Sequence, residues 1–263
     1  MIMRLLTFFC LGLSAANSLG QPMKETNNPV SVPVYHAVVQ AKKPLNREHF
    51  TQGLEIQGNT LWLSSGQYGE STLNRYDFDS MSLRQSVSMP KKYFAEGVTQ
   101  IGEFIFQLTW RARELLIYDA QTLMQVGIRR IPTEGWGMTH NGDQIWYGDG
   151  TDRLFSFSAS SIGSIESINV RLNGKPVYRL NELEWINGEI WANVWQSNQI
   201  IKIDPSTGNV TGIIDLTGLL PSEARQQGTD VLNGIAQDPR NGDIWVTGKR
   251  WPWIYQITLE ARH

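Results

Sequence analysis

Short apolar segments alternate with two-residue polar turns along most of the chain, and the pattern recurs five times. Each recurrence has an apolar segment, a turn, and a second apolar segment with an aromatic residue near its start. Paired Gly and Asn residues between apolar segments are among the strongest local signals for a β-hairpin. The predicted hairpin turns are Gly58-Asn59, Gly102-Glu103, Asn141-Gly142, Asn187-Gly188 and Asn241-Gly242.

The five hairpins recur at a similar interval. Matching positions in their first segments, which lie 44, 40, 46 and 51 residues apart, are Gly53, Gly97, Gly137, Leu183 and Gly234. This interval is typical of a four-stranded propeller blade. A third strand-like segment follows each hairpin, and a spare one, residues 32–40, precedes the first. We therefore predict an all-β fold, a five-bladed β-propeller whose last blade is closed by the N-terminal strand. A two-sheet sandwich would leave the interval unexplained.

The first twenty residues differ from the rest of the chain. They contain one Arg, an apolar run over residues 5–13, and small residues at the end, which is the pattern of a secretory signal peptide. The run is too short to span a bilayer comfortably. We predict a signal peptide at 1–20 and a single propeller domain at 21–263 in the periplasm or outside the cell. Cleavage would remove Cys10, the only cysteine, so neither a disulfide nor a thiol nucleophile is expected.

Charge and histidine spacing exclude several function classes. The formal net charge is −2, so no polyanion-binding surface is implied and nucleic acid is not an expected partner. No metal-ligand spacing relates the four histidines, which are His36, His49, His140 and His263. We predict no zinc site, no cofactor, no membrane association and a monomer. The sequence also lacks a nucleophile elbow and a phosphate-binding Gly loop, so a reaction here should use a nucleophile that the substrate carries.

The repeat register predicts where a site would form. In every unit the first strand starts, and the second strand ends, at the same face of the propeller. Equivalent positions there should meet at one mouth of the central channel, where propellers usually bind ligands. These mouth positions are Gln52, Glu96, Trp136, Glu182, Asn233, Gly66, Trp110, Gly150, Trp195 and Lys249. The second-strand aromatics are expected to pack in the core instead: Trp62, Phe106, Trp146 and Trp191.

Motifs at these positions resemble those of the plant- and bacterial-type glutaminyl-peptide cyclotransferases. The resemblance covers about residues 50–255, and its carriers are "FTQGL", "FAEGVT", "LTW", "EGWGMT", "NELEW", "WANVWQ" and "TGKRW". It implies a five-bladed propeller that converts the N-terminal Gln of peptides or proteins to pyroglutamate and releases ammonia. It also implies that no catalytic metal takes part.

The same resemblance assigns site residues. The catalytic acid falls on Glu96, and the other catalytic groups fall on Gln52, Asn181 and Lys249. The substrate-binding aromatics fall on Phe50, Phe94, Trp110, Trp136 and Trp195. The repeat register alone would choose Glu182, which directly precedes Leu183, over the adjacent Asn181. That unit is one residue shorter between its matching position and its aromatic residue than the first three, so its register is the least secure. How Gln52, Asn181 and Lys249 divide their roles stays open.

One carboxylate can serve both proton transfers of such a cyclisation. The α-amine must lose a proton and the leaving nitrogen must gain one. Aromatic neighbours that desolvate Glu96 would make its neutral form accessible, and Gly97 is expected to let the backbone turn close beside the substrate.

Two alternatives remain. A non-catalytic module that binds a sugar or peptide suits a Trp-lined pocket but needs no buried acid beside a lysine. A propeller hydrolase or lyase acting on another small substrate, such as a lactonase, usually needs metal-binding acids and histidines at the mouth.

Overall fold

The structure, a computed structural model, describes residues 31–161 and 163–262, so the predicted signal peptide lies outside the described residues. The described part consists of β-strands and a single turn of 3-10 helix at Ser222–Ala224. The prediction of an all-β fold is confirmed. Within these ranges no helix has the length and apolar character needed to cross a membrane.

Three antiparallel sheets of four strands follow the first strand, β1 (Val34–Pro44), and each of their strands pairs with its predecessor in sequence. The first sheet comprises β2 (Thr51–Gln57), β3 (Thr60–Ser65), β4 (Thr72–Asp77) and β5 (Ser82–Ser88). The second comprises β6 (Ala95–Ile101), β7 (Phe104–Thr109), β8 (Glu114–Asp119) and β9 (Gln125–Arg130). The third comprises β10 (Met138–His140), β11 (Gln144–Gly148), β12 (Arg153–Ser158) and β13 (Glu166–Asn169).

The remaining strands form a two-stranded ribbon and one eight-stranded sheet. The ribbon comprises β14 (Arg171–Leu172) and β15 (Lys175–Pro176). One half of the large sheet comprises β16 (Leu180–Ile186), β17 (Glu189–Val194), β18 (Gln199–Ile203) and β19 (Val210–Asp215). The other half comprises β20 (Leu232–Gln237), β21 (Ile244–Gly248), β22 (Trp253–Ala261) and β1. Strand β1 pairs antiparallel with β22 and parallel with β19, so the N-terminal strand lies beside the last strand, as expected.

The three four-stranded sheets and the two halves of the eight-stranded sheet are five antiparallel meanders. The first strands of these five meanders contact one another in a closed order. Strand β2 contacts β6, β6 contacts β10, β10 contacts β16, β16 contacts β20, and β20 contacts β2. The approach is close at Gly97, whose backbone N–H donates to the Trp136 carbonyl at 2.7 Å. A Cβ at Gly97 would lie 2.4 Å from the backbone nitrogen of Met138. Our expectation for Gly97 is thus corrected, because the backbone of the neighbouring unit, and not a substrate, accounts for the close approach at this glycine.

The predicted hairpin turns differ in length. Three of them have two residues, as expected, at positions 58–59, 102–103 and 187–188. The third turn has three residues, 141–143, and the fifth has six, 238–243. In the fifth, the Gly242 N–H donates to the Asp238 carbonyl at 2.8 Å, and the Asp238 carboxylate pairs with Arg240. These contacts stabilise a loop wider than the Asn-Gly pair alone predicts.

The second-strand aromatics form the core, as predicted. The four predicted core residues are buried in four different hydrophobic clusters: Trp62, Phe106, Trp146 and Trp191. Trp245, the second-strand aromatic of the fifth unit, was not among the predicted residues and is buried in a further cluster. Trp62 of the first sheet clusters with Ile105 and Leu116 of the second. Trp62 therefore fills space between neighbouring sheets, and the large buried area of such aromatic residues contributes to stability.

Candidate active site

A pocket of about 420 Å³ opens where the inner strands β2, β6 and β16 begin. Every site residue predicted from the resemblance lines it: Phe50, Gln52, Phe94, Glu96, Trp110, Trp136, Asn181, Trp195 and Lys249. The four polar side chains are at most 5% exposed, whereas the five aromatic side chains are half-buried. The pocket therefore has a polar floor and aromatic walls.

Irregular strand pairing directs three of the polar side chains to the floor. The register shifts between Thr51 and Gly53, between Ala95 and Val98, and between Leu180 and Leu183. These shifts flank Gln52, Glu96 and Asn181. A β-bulge re-aims side chains next to active sites in this way. The same local feature, repeated in three meanders, brings two amides and one acid together.

The bulge also corrects the sequence register at Glu182. In β6 the bulge holds Glu96 and Gly97, so in β16 the equivalent pair is Asn181 and Glu182. Trp191 lies nine positions after Glu182, as Phe106 lies nine positions after Gly97. Leu183 was therefore the wrong matching position, and Asn181 is the equivalent of Glu96.

Glu182 is buried but does not line the pocket. Its carboxylate accepts the backbone N–H of Leu54 at 3.1 Å and of Ile235 at 2.8 Å. These donors belong to β2 and β20, so Glu182 connects inner strands. Its place in the predicted mouth set is wrong.

Three other predicted mouth positions support the pocket without lining it. Asn233 donates from Nδ2 to Oε1 of Gln52 at 3.2 Å, which orients the Gln52 amide. A Cβ at Gly66 would lie 2.4 Å from the Phe94 ring, and one at Gly150 would lie 2.7 Å from the Trp136 ring. Because glycine has no side chain, Gly66 and Gly150 leave room for these two aromatic rings.

Burial dominates the electrostatics of the floor. It raises the pKa of Glu96 well above its usual range, while Lys249 opposes this shift, Glu134 adds to it, and the Gln52 amide opposes it. Burial lowers the pKa of Lys249, and the charges of Glu96 and Asp230 oppose that shift. The pKa values of one acid and one base are thus shifted toward each other, a pattern that is concentrated at functional sites.

Two buried acceptors in the pocket have no donor among the described residues. They are Oε2 of Glu96 and Oδ1 of Asn181. Buried polar atoms are nearly always hydrogen-bonded in folded proteins. Two such acceptors in one small pocket suit a ligand that carries several N–H groups.

Sequence reasoning missed some of the site. Four further lining residues are Gln67, Gln196, Asp230 and Val231. Gln67 and Gln196 each directly follow a predicted mouth position, which was a usable signal. Glu134, two residues before Trp136, stands in the register position of Phe94 before Glu96. The Glu134 carboxylate accepts the indole N–H groups of two wall residues and was also missed.

Neither a metal cluster nor a wider groove along β1 competes with this pocket. Among residues 31–161 and 163–262, no three His, Cys, Asp or Glu side chains are placed to hold a metal ion. Metal independence itself stays a prediction. A groove of about 810 Å³ runs along β1, but its charged residues Lys42, Arg47 and Glu223 are all at least partly exposed. Of these two cavities, only the smaller pocket contains both an acid and a lysine whose pKa values are shifted by burial.

The fold and the pocket together define an all-β protein with one buried carboxylate and one buried lysine behind aromatic walls. The chain belongs to the glutamine cyclotransferase family, whose model matches residues 10–259. It is 40% identical over 228 residues to the glutaminyl-peptide cyclotransferase of Arabidopsis thaliana, an alignment that covers 84% of this chain and 71% of the relative.

One solved structure agrees with this membership, and a second shares the fold. The crystal structure of Myxococcus xanthus glutaminyl cyclase superposes with a TM-score of 0.81 and 31% identity over 88% of this chain and all of that one. A streptogramin B lyase structure matches with a TM-score of 0.53 and 11% identity over 84% of this chain and 98% of that one, a likeness of fold alone.

Proposed function

We propose that this protein is a glutaminyl-peptide cyclotransferase, which converts the N-terminal glutamine of peptides or proteins to pyroglutamate and releases ammonia. The observation that carries the proposal is the buried Glu96, whose Oε2 has no donor among the described residues and lies in an aromatic pocket beside Asn181 and Lys249. The names of the Arabidopsis and Myxococcus relatives support the same activity. A glutamine side chain with its α-amine supplies the N–H groups that these acceptors lack.

Binding begins with the substrate side chain between the aromatic walls. The walls, which include Trp110, Trp136 and Trp195, remove water from the γ-carboxamide and fold it towards the α-amine. Proximity is largely built into the substrate, because nucleophile and electrophile belong to one residue. Excluding water matters because hydrolysis would give glutamate.

Glu96 acts as the proton shuttle. The neutral α-amine nitrogen bonds to the γ-carbonyl carbon, and Glu96 Oε2 takes the proton that this nitrogen loses. The protonated Glu96 then gives that proton to the γ-nitrogen as its bond to carbon breaks, and ammonia leaves. The raised pKa of Glu96 makes the protonated form accessible in the second step. Such proton transfers typically contribute about 10²–10⁴-fold.

Lys249 stabilises the carbonyl oxygen as it becomes negative in the tetrahedral intermediate. Lys249 as a whole residue is 3% exposed, so little water screens its charge. Gln52, oriented by Asn233, and Asn181 hold the substrate amine and amide. One donor to such an oxyanion is worth roughly 3–4 kcal/mol.

We further propose that the five meanders are the blades of a five-bladed propeller. The closed order of contacts among the inner strands and the pairing of β1 with β22 support this arrangement. The protein is proposed to act as a monomer, without a metal, in the periplasm or outside the cell.

The function is tested by incubating the purified protein with a peptide that begins with Gln. We expect ammonia release and a peptide that has lost one ammonia. A peptide with an acetylated N-terminal Gln keeps the carboxamide but lacks the nucleophilic amine, so it should release none. Ammonia from the acetylated peptide would indicate an amidase, and release from neither peptide would contradict the proposal.

A further inference from the structure

One carboxylate, that of Glu134, connects two walls of the pocket. Its Oε2 accepts the indole N–H of Trp110 at 2.7 Å and that of Trp136 at 3.4 Å. Both indoles line the pocket beside Glu96. Glu134 takes part in none of the ion pairs among the described residues. Its charge is therefore directed at the indoles and not at a surface cation.

The backbone around Glu134 is held next to the end of β7. The N–H of Gly135 is shared between the carbonyls of Thr109 at 3.3 Å and Trp110 at 3.4 Å. A Cβ at Gly135 would lie 2.9 Å from the Leu108 side chain, so the segment packs tightly against β7. The backbone that carries the Glu134 carboxylate is thus held in place. A side chain can fix the orientation of its neighbours only if its own position is fixed in this way.

The two indoles in turn position other walls. The Trp136 ring packs edge-on against Trp195 with centroids 5.7 Å apart, and the Trp110 ring packs against Phe94 at 5.5 Å. Rotation of either indole would therefore move a second wall residue. A hydrogen bond from each indole to one shared carboxylate prevents that rotation on both sides of the pocket.

We propose that Glu134 is a positioning residue, which fixes the orientation of Trp110 and Trp136 and so shapes the pocket that folds the substrate glutamine. This inference rests on the proposed function. Besides burial, the groups that shift the pKa of Glu96 are Lys249, Glu134 and Gln52, and the negative charge of Glu134 favours the protonated form of Glu96. Glu134 therefore has two separable effects, one of geometry and one of charge.

Two substitutions separate these effects. Glu134→Gln keeps an oxygen that can accept from the indoles but removes the charge. Its KM for a Gln-initiated peptide should stay close to that of wild type, while the acid limb of its kcat–pH profile should move to lower pH because Glu96 loses its proton more easily. Glu134→Ala removes the acceptor, so KM should rise about tenfold, the loss expected for one hydrogen bond to a charged group.

A matched control is Glu114→Gln, because Glu114 is also a half-buried acid that accepts from an aromatic side chain, Tyr93, outside the pocket. Its kcat, KM and pH profile should not change. NMR of the tryptophan indole N–H groups gives a readout without activity: the Trp110 signal should shift in Glu134→Ala and not in Glu114→Gln.

An unchanged acid limb in Glu134→Gln, or an unchanged Trp110 signal in Glu134→Ala, would overturn the proposal; if Glu134→Ala does not fold, the Gln variant decides. A wild-type protein without activity would instead overturn the proposed function, and the NMR comparison would still decide the role of Glu134.

Discussion

Tryptophan has two uses in this chain, and a matched pair of substitutions separates them. Trp110 is half-buried in the pocket wall, whereas Trp146 is buried in a hydrophobic cluster between sheets. Trp110→Ala should lower kcat/KM by about tenfold or more with little change in thermal stability, because one wall that excludes water is lost. Trp146→Ala should lower the free energy of unfolding by roughly 3–5 kcal/mol, as for other buried aromatics.

Steady-state kinetics and denaturant unfolding of both variants check this prediction. The division into pocket and core positions is wrong if both substitutions destabilise the fold to the same extent.

The charge of Lys249 has an effect on Glu96 opposite to that of Glu134. Lys249→Met removes a cation that lowers the pKa of Glu96. The carboxyl then holds its proton to higher pH, so the acid limb of the kcat–pH profile should move upward. The maximal kcat should also fall by about 10²–10³-fold, the cost of one oxyanion donor.

Lys202→Met is the control for this charge effect. Lys202 pairs with Glu189 at 2.8 Å outside the pocket, so its loss should leave the profile in place. A limb that moves downward, or not at all, in Lys249→Met would show that Lys249 does not act on Glu96.

At the scale of elements, the buried Glu182 side chain connects neighbouring inner strands by accepting their backbone N–H groups. Glu182→Gln keeps one acceptor oxygen but turns an NH₂ group toward a backbone donor, which should cost about 1–3 kcal/mol. Burial and the nearby Glu184 raise the pKa of Glu182 well above its usual range. The folded protein therefore keeps a proton that the unfolded chain loses above about pH 4.3.

The stability that this proton contributes is complete below the unfolded pKa and declines as the pH rises toward the folded pKa. The stability difference between wild type and Glu182→Gln should therefore shrink as the pH increases from about 4 towards neutrality. Melts of both proteins across this range measure it, and a difference that grows with pH would contradict the assigned protonation.

The hairpin strands could be predicted from the sequence because turn residues and alternating apolar positions are local signals. The bulges could not, because a bulge at Asn181 and Glu182 arises from pairing with β17 and leaves no local signal in the sequence. The resemblance placed Asn181 in the site where the repeat register chose Glu182. The role of Glu134 could not be predicted from the sequence, because it depends on where the indoles of Trp110 and Trp136 point. Only the packing of the pocket determines that orientation.

At the scale of the whole molecule, export remains a prediction from residues 1–20. When the full chain is produced in a bacterium with a secretion pathway, the recovered protein should begin near Gln21. Its intact mass would also report cyclisation of that terminal glutamine as the loss of one ammonia. An active protein that stays in the cytoplasm and retains residues 1–20 would contradict export.

The central claim is that Glu96 moves the proton in a cyclisation of N-terminal glutamine. The most direct test is the rate of ammonia release from a Gln-initiated peptide by Glu96→Gln, measured beside Glu182→Gln and wild type with thermal melts of all three. We predict that Glu96→Gln stays folded, binds the peptide and loses about 10²–10⁴-fold in kcat. Glu182→Gln should be less stable, with kcat close to wild type. Near-native turnover by a folded Glu96→Gln protein would contradict the account, and loss of turnover in a folded Glu182→Gln protein would move the catalytic role to that acid.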